Sequence, residues 1–343
     1  MVSMINNVYK LKSPKFFEKV FEEIDITKDV IVKPTYLSIC KADQRYFQGK
    51  RDSNILDERL PMALIHEAIG EVIKDNTGEF NIGDIVALIP NIIFEENENI
   101  NANYLASSKF RGSNFDGFTS DLISLKEDRL VKIPAEMNLK TASFLELISV
   151  AIHGINRFKK ISQTKKDILG VWGDGSLGFI MALILKVNFP NSKVIVFGKH
   201  NENLKLFSFV DEVYRVNEIP ENLKVDHGFE CVGSLSSQIA IEQIINLINP
   251  QGVISLFGVS EFPVSINTRL VLEKGLTIFG SSRSEREDFM ESIKLMGENP
   301  KMVSHLDNLT TDFIKIKSLN DLNNAFNIDN NKSFGKTVLK WEI

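Results

Sequence analysis

Only two cysteines, Cys40 and Cys231, occur in 343 residues, which excludes a disulfide framework and points to a reducing setting, the cytoplasm. No apolar run approaches bilayer-spanning length, and Met1 to Leu11 lacks the apolar centre of a secretion signal, so neither membrane insertion nor export is expected. Basic residues are not in excess. Forty Lys and Arg stand against 45 Asp and Glu, and the net charge of −5 argues against a nucleic-acid partner. That balance still leaves room for a local basic pocket holding an anionic small molecule. Internal repeats are absent, and the one polar-biased stretch, Glu95 to Asn103, reads as an exposed loop. Each cysteine needs its own account.

What is present is an ordinary globular balance, 43% hydrophobic and 25% charged, at a length that favours two domains. From Val8 to Ile133, short β-rich runs such as Val30–Tyr36, Gly70–Lys74 and Ile85–Pro90 are separated by turn signals. From Lys165 to Ser281, strands alternate with helices, as in a doubly wound parallel sheet. Ile168–Trp172, Lys193–Phe197, Asp226–Glu230, Gly252–Phe257 and Leu276–Phe279 read as strands there, and Leu177–Val187 as a helix. The last zone, Arg286–Ile343, reads as helical, closing in a strand at Lys336–Trp341, and is expected to return to the first zone.

Gly173-Asp174-Gly175-Ser176-Leu177-Gly178 fits G-x-G-x-x-G. The pattern alone is weak, but here it follows an apolar strand and opens a helix, the context that phosphate binding requires. The first glycine allows the tight turn, the second lets backbone approach a pyrophosphate, and the third permits close helix–strand packing. An NAD site commonly carries an acidic residue at the end of the next strand. Here that end reads Val196-Phe197-Gly198-Lys199-His200, so NADP(H) is expected, with Lys199 and His200 near the 2′-phosphate. A solvated loop lysine is the bland alternative.

Cys40, the pair His66-Glu67 and Glu146 are all competent zinc ligands, although their separation in sequence proves no site. In order, however, Ser38-Ile39-Cys40-Lys41-Ala42-Asp43, Ile65-His66-Glu67 and Glu146 to His153 resemble the zinc-framing segments of the medium-chain alcohol dehydrogenase superfamily. Asp116-Gly117-Phe118, Glu230-Cys231-Val232-Gly233 and Gly280-Ser281 extend the likeness over the whole chain. The resemblance implies an α/β protein. A β-rich, GroES-like zinc-binding catalytic domain would span 1–155 and 286–343, and a Rossmann domain 156–285. It also implies a catalytic zinc among Cys40, His66, Glu67 and Glu146, with Glu67 either a ligand or an exchanging neighbour. His153 would lie at a domain junction, and Cys231 reads as a core residue.

Two departures matter. Asn91 to Arg111 lacks the four cysteines that hold a second, structural zinc in many relatives, so one zinc per chain is expected. Ala42 stands where alcohol-oxidising relatives keep a proton-relaying hydroxyl, which leaves zinc-bound water or Glu67 to move the proton.

The segment after Cys40, read as a loop, carries Arg45, Lys50 and Arg51, and a second segment carries Lys109 and Arg111. A phosphate would suit these cations, and so would plain solvent. Ser38 to Tyr46, Leu60 to Glu67, Trp172 to Gly178 and Gly335 to Trp341 further resemble the ribulose-5-phosphate reductases, from Met4 to Ile343. That likeness implies NADPH-dependent reduction of D-ribulose 5-phosphate to D-ribitol 5-phosphate, with Arg45 and Arg111 on the substrate phosphate. It further implies a homo-oligomer and a ribitol-5-phosphate cytidylyltransferase as neighbour, supplying CDP-ribitol for teichoic acid or capsule. Rival readings are a zinc polyol dehydrogenase for sorbitol or xylitol, a zinc-free reductase, and a catalytically silent NADPH-binding regulator.

Overall fold

Strand-forming β-branched and aromatic residues open the chain, and they build more than short runs. The structure, a computed structural model, describes residues 2–343. Strands β1 (Ser3–Ser13) and β2 (Phe16–Asp25) pair antiparallel as a long hairpin. Next come β3 (Val30–Ser38), helices α1 (Lys41–Phe47) and α2 (Ser53–Arg59), and strands β4 (Met62–Ala63) and β5 (Glu67–Asp75). Of the segment Asp43–Asp52, expected as a loop, Asp43–Phe47 is therefore helical, while Gln48–Asp52, with Lys50 and Arg51, is turn and loop. Short strands follow: β6 (Ile85–Leu88), β7 (Asn91–Ile92), β8 (Lys109–Phe110), β9 (Ile123–Leu125) and β10 (Leu130–Lys132). Two helices, α3 (Leu139–Ala142) and α4 (Leu145–Ile161), lead out of this region.

The middle of the chain alternates β11 (Ile168–Trp172), α5 (Ser176–Asn188), β12 (Lys193–Gly198), α6 (Asn201–Leu204) and β13 (Glu212–Arg215). It continues with β14 (His227–Glu230), α7 (Ser237–Leu247), β15 (Val253–Leu256), α8 (Thr268–Lys274) and β16 (Thr277–Gly280). These strands form a parallel sheet in the order β13-β12-β11-β14-β15-β16. In strand succession that is 3-2-1-4-5-6, the doubly wound order, with its reversal between β11 and β14. Covered on both faces, β12 and β14 are buried almost throughout, β12 through its apolar run and β14 with His227 and Glu230 hydrogen-bonded to backbone.

The last zone departs from its helical reading. After α9 (Arg286–Glu298) and α10 (Pro300–Asp307) comes a seven-residue strand, β17 (Thr310–Ile316), then α11 (Leu319–Asn330) and β18 (Lys336–Trp341). Strand β18 pairs antiparallel with β3 and parallel with β17, completing the order β10-β6-β5-β3-β18-β17. Leu37, Val72, Leu88, Phe326, Leu339 and Trp341 share one core there.

Contacts divide the chain into two units, one up to Ser149 together with Arg283–Ile343, the other Val150–Ser282. Among the described residues no helix is long and apolar enough to cross a membrane. Both cysteines are free thiols.

Candidate active site

In the first unit, Cys40 ends the β3 crossover and is the N-cap of α1. The third residue of that helix, Asp43, is fully buried and turns back: its Oδ2 accepts the Cys40 backbone N–H at 2.9 Å. Its Oδ1 accepts the backbone N–H of Ile65 at 3.0 Å. One carboxylate thus fastens the cysteine turn to the histidine turn. Ile65 holds φ at +67°, a strained value for a β-branched residue, immediately before His66. The 116–118 segment clamps that turn from the other side. Gly117 and Phe118 donate backbone N–H groups to Ala63 and to Leu64 and Ile65. A Cβ on Gly117 would stand 2.2 Å from the Leu64 carbonyl oxygen, so only glycine fits.

The result is a cluster of a half-buried thiol and two buried side chains. One ligand atom from each of Cys40, His66 and Glu67 lies within 4.8 Å of the others. Glu146, on the first turn of α4, is buried nearby but falls outside that cluster. His66 Nδ1 stands 3.5 Å from Asp43, too far for a firm hydrogen bond, and is buried without another partner. Glu67 presents both carboxylate oxygens to Lys336 Nζ at 2.8 Å, and the same ammonium donates to the Ile39 carbonyl at 2.9 Å.

Charge in the cluster is out of balance. Burial alone would depress the His66 imidazolium, yet Asp43 and Cys40 outweigh it and hold its pKa well above the ordinary value. Burial pushes the Glu146 carboxyl up to about 7, with Glu67 and Asp43 adding to the rise and His66 and Lys336 opposing it. Burial also opposes the charge on Lys336, but Glu67 and Cys40 raise its pKa above that of ordinary lysine. The His66 and Lys336 shifts favour the cation because anionic donors are in surplus, while that of Glu146 comes first from its burial. A divalent cation on a Cys, His and Glu set corrects that surplus, so the donors fit zinc.

In the second unit the glycine turn lies between β11 and α5. Gly173, at φ +131°, packs under the Cys231 carbonyl, and a Cβ on Gly178 would stand 2.0 Å from the Gly173 carbonyl oxygen. Gly175 differs: a Cβ there would meet nothing within 4 Å, so packing does not explain it, whereas the approach of a pyrophosphate does. Ser176 and Leu177 open α5, whose N-terminal amides suit that charge. The cradle fits a dinucleotide. Lys199 and His200 are exposed just beyond β12.

The cations nominated for phosphate separate in kind. Arg45 is half-buried on α1. Arg111 packs into its own loop, with Nη1 3.1 Å from the Asp116 carbonyl oxygen and the guanidinium over the Phe115 and Phe118 rings. Burial pushes its pKa down to about 10, and its Nε is buried without a partner. Arg51 lies over Tyr46 and Lys109 over Phe94 and Phe115.

Reading the sequence missed Asp43 and Lys336 as organisers of the cluster. The Asp43 signal was present, a carboxylate three residues into a helix; Lys336 had none, because its partner is 269 residues away. Arg283 was also missed. Its guanidinium lies 5.1 Å from the centre of the Phe110 ring, which is 5.2 Å from that of His66.

Residues 27–135 match the alcohol dehydrogenase GroES-like domain, and residues 193–298 the zinc-binding dehydrogenase family. Over 341 residues the chain is 49% identical to ribulose-5-phosphate reductase of Bacillus spizizenii, covering 99% of this chain and 100% of the relative. It is 50% identical over 339 residues to ribulose-5-phosphate reductase 1 of Staphylococcus aureus, covering 98% and 99%. S. aureus TarJ in complex with NADPH superposes with a TM-score of 0.88 at 46% identity, covering 99% of this chain and 100% of that one.

Proposed function

The chain belongs to the zinc-dependent alcohol dehydrogenase family, and on that premise we propose that it reduces D-ribulose 5-phosphate to D-ribitol 5-phosphate with NADPH. The observation that carries the reading is end-to-end identity of 49% with a ribulose-5-phosphate reductase. The half-buried Cys40 and buried His66 and Glu67 donors and the open glycine cradle support it.

Cys40, His66 and Glu67 are assigned to hold one zinc, with Glu146 assigned to exchange with one of them. A zinc held there would supply Lewis acidity toward a ketone, and a bound NADPH would supply a hydride. The chain's own residues do the rest. Asp43 orients the cysteine and histidine turns, and Lys336 holds Glu67. Because Ala42 has no hydroxyl, the proton that completes the alcohol is assigned to a water in the site or to Glu67, which would first have to take that proton from Lys336 Nζ or from water. Gly173, Gly175, Ser176, Leu177 and Gly178 are assigned to the pyrophosphate, and Lys199 and His200 to the 2′-phosphate. Arg45 is assigned to the substrate phosphate, where its planar fork suits phosphate oxygens, with Arg111 second. We place the enzyme in the cytoplasm as a homo-oligomer. A ribitol-5-phosphate cytidylyltransferase would consume its product and feed teichoic acid or capsule synthesis.

The test is NADPH oxidation with ribulose 5-phosphate, xylulose 5-phosphate and fructose, and NADP reduction with sorbitol. Ribulose 5-phosphate should be turned over far faster than the rest. Preference for fructose or sorbitol would establish a neutral polyol dehydrogenase instead.

A further inference from the structure

The end of β12 bears no carboxylate of its own, yet the fold delivers one. Asp174, the second residue of the glycine turn, reaches across to it. Its Oδ2 accepts the backbone N–H of Lys199 at 2.9 Å and that of His200 at 2.6 Å, and stands 3.0 Å from His200 Nδ1. The strand end is shaped to admit this side chain. A Cβ on Gly198 would come within 2.6 Å of the Asp174 Cβ and 3.0 Å of its Cγ, so a larger residue there would expel the carboxylate. His200 is the N-cap residue of α6, but its side chain makes no cap hydrogen bond to that helix; the ring turns to Asp174. The carboxylate side chain is 13% exposed and the imidazole 49%, so the acid lies inside and the base outside.

A bare carboxylate at this place repels a 2′-phosphate. Asp174 is not bare, since two backbone dipoles and an imidazole face the same oxygen. Those dipoles offset its charge, and Lys199 adds a cation to the same turn. The neighbouring charges on α6, Glu202 and Lys205, pair with each other at 2.9 Å and add no net charge.

We infer that Asp174 is a positioning residue that sets the cofactor preference. It fixes the Gly198-Lys199-His200 turn and, by facing Nδ1, orients the His200 ring as a donor toward the 2′-phosphate of NADP(H). The preference then resides in the Asp174–His200 pair together with Lys199, not in Lys199 alone. This rests on the NADP(H) reading above and deepens it.

Equilibrium binding of NADPH and NADH to the zinc-loaded full chain, read by nicotinamide fluorescence without substrate, tests it. Asp174→Ala should weaken NADPH binding about tenfold, the size of one charge-assisted contact, and leave NADH within about twofold. Asp174→Asn should recover part, because its amide oxygen still accepts the two N–H groups. In a His200→Ala background, Asp174→Ala should cost little more. Tighter NADPH binding in Asp174→Ala would overturn the inference, since the carboxylate would then merely repel. Equal losses for both cofactors, with an unchanged melting temperature, would overturn it as well, and so would additive losses in the double variant. A wild-type chain that binds NADH as tightly as NADPH removes the cofactor reading and this inference together. Failure in the variants alone removes only the role of Asp174.

Discussion

Lys336 and Glu67 form a pair whose members are 4% and 0% exposed, and a buried charge that loses its partner is far more costly than the pair is stabilising. Lys336→Met should therefore destabilise the zinc-stripped protein by about 3–5 kcal/mol in urea unfolding. In the zinc-loaded protein the loss should be smaller, because the dication replaces the ammonium as a counter-charge. Equal stability of stripped variant and stripped wild type would show that the pair contributes nothing. At the ligands themselves, metal analysis should return one zinc per wild-type chain, and Cys40→Ser should lose it to a chelator that leaves the wild type loaded. Two zincs, or full activity of Cys40→Ser after chelation, would contradict the assignment. Arg45 carries the substrate prediction. Arg45→Ala should lower kcat/KM for ribulose 5-phosphate by about 100-fold, the order expected when a buried charge pair loses one partner, and Arg45→Lys should recover part. Activity on unphosphorylated ribulose should hardly change; equal loss on both sugars would make Arg45 structural.

Strands β14 and β15 are joined by a histidine that titrates. Val253 donates its backbone N–H to His227 Nδ1 at 3.1 Å, so Nε2 carries the proton that reaches the Lys165 carbonyl at 2.9 Å. Both nitrogens are in use only in the neutral ring. Burial depresses the His227 pKa below its ordinary value, and the charge of Lys166 adds to that against the pull of the Lys165 backbone carbonyl and of Asp226. The unfolded chain then takes up the proton first. Stability is fully present above the ordinary histidine pKa and is lost as pH falls from there toward the depressed value. His227→Gln should flatten this acid-side loss by at most about 1.4 kcal/mol per pH unit. An unchanged slope between wild type and variant in urea unfolding from pH 7 to 5 would sink the claim.

Elements also show where reading the sequence stopped. Strands β11 and β12 were legible as continuous apolar runs. Strand β17 was not, because Thr310 to Ile316 alternates polar with apolar side chains and only its pairing with β18 distinguishes it from a surface segment. The segment after Cys40 looked like a loop for its charges. Its helix is set by the buried side chains of Asp43, Gln44, Tyr46 and Phe47, interleaved with those charges.

Across the whole molecule, the zinc donors all lie in the unit that contains β18, and the glycine cradle lies in the unit that ends at Ser282. Ligands stabilise the parts that hold them. Zinc removal should speed hydrogen exchange in β3, β5 and β18, and NADPH should slow it in β11 and β12. Protection by NADPH confined to the zinc-bearing strands would contradict the assignment of the cradle. The glycine cradle was determined by the sequence alone, because six consecutive residues carry it and the backbone geometry they permit is local. The candidate ligands Cys40, His66 and Glu67 were nameable from short motifs for the same reason. Only the tertiary structure decided that Lys336 neutralises Glu67, that Asp43 ties two turns together, and that Asp174 supplies the acid missing from β12. Those contacts join residues 269, 22 and 26 positions apart, and no periodicity or spacing records a partner that a crossover brings in from another strand.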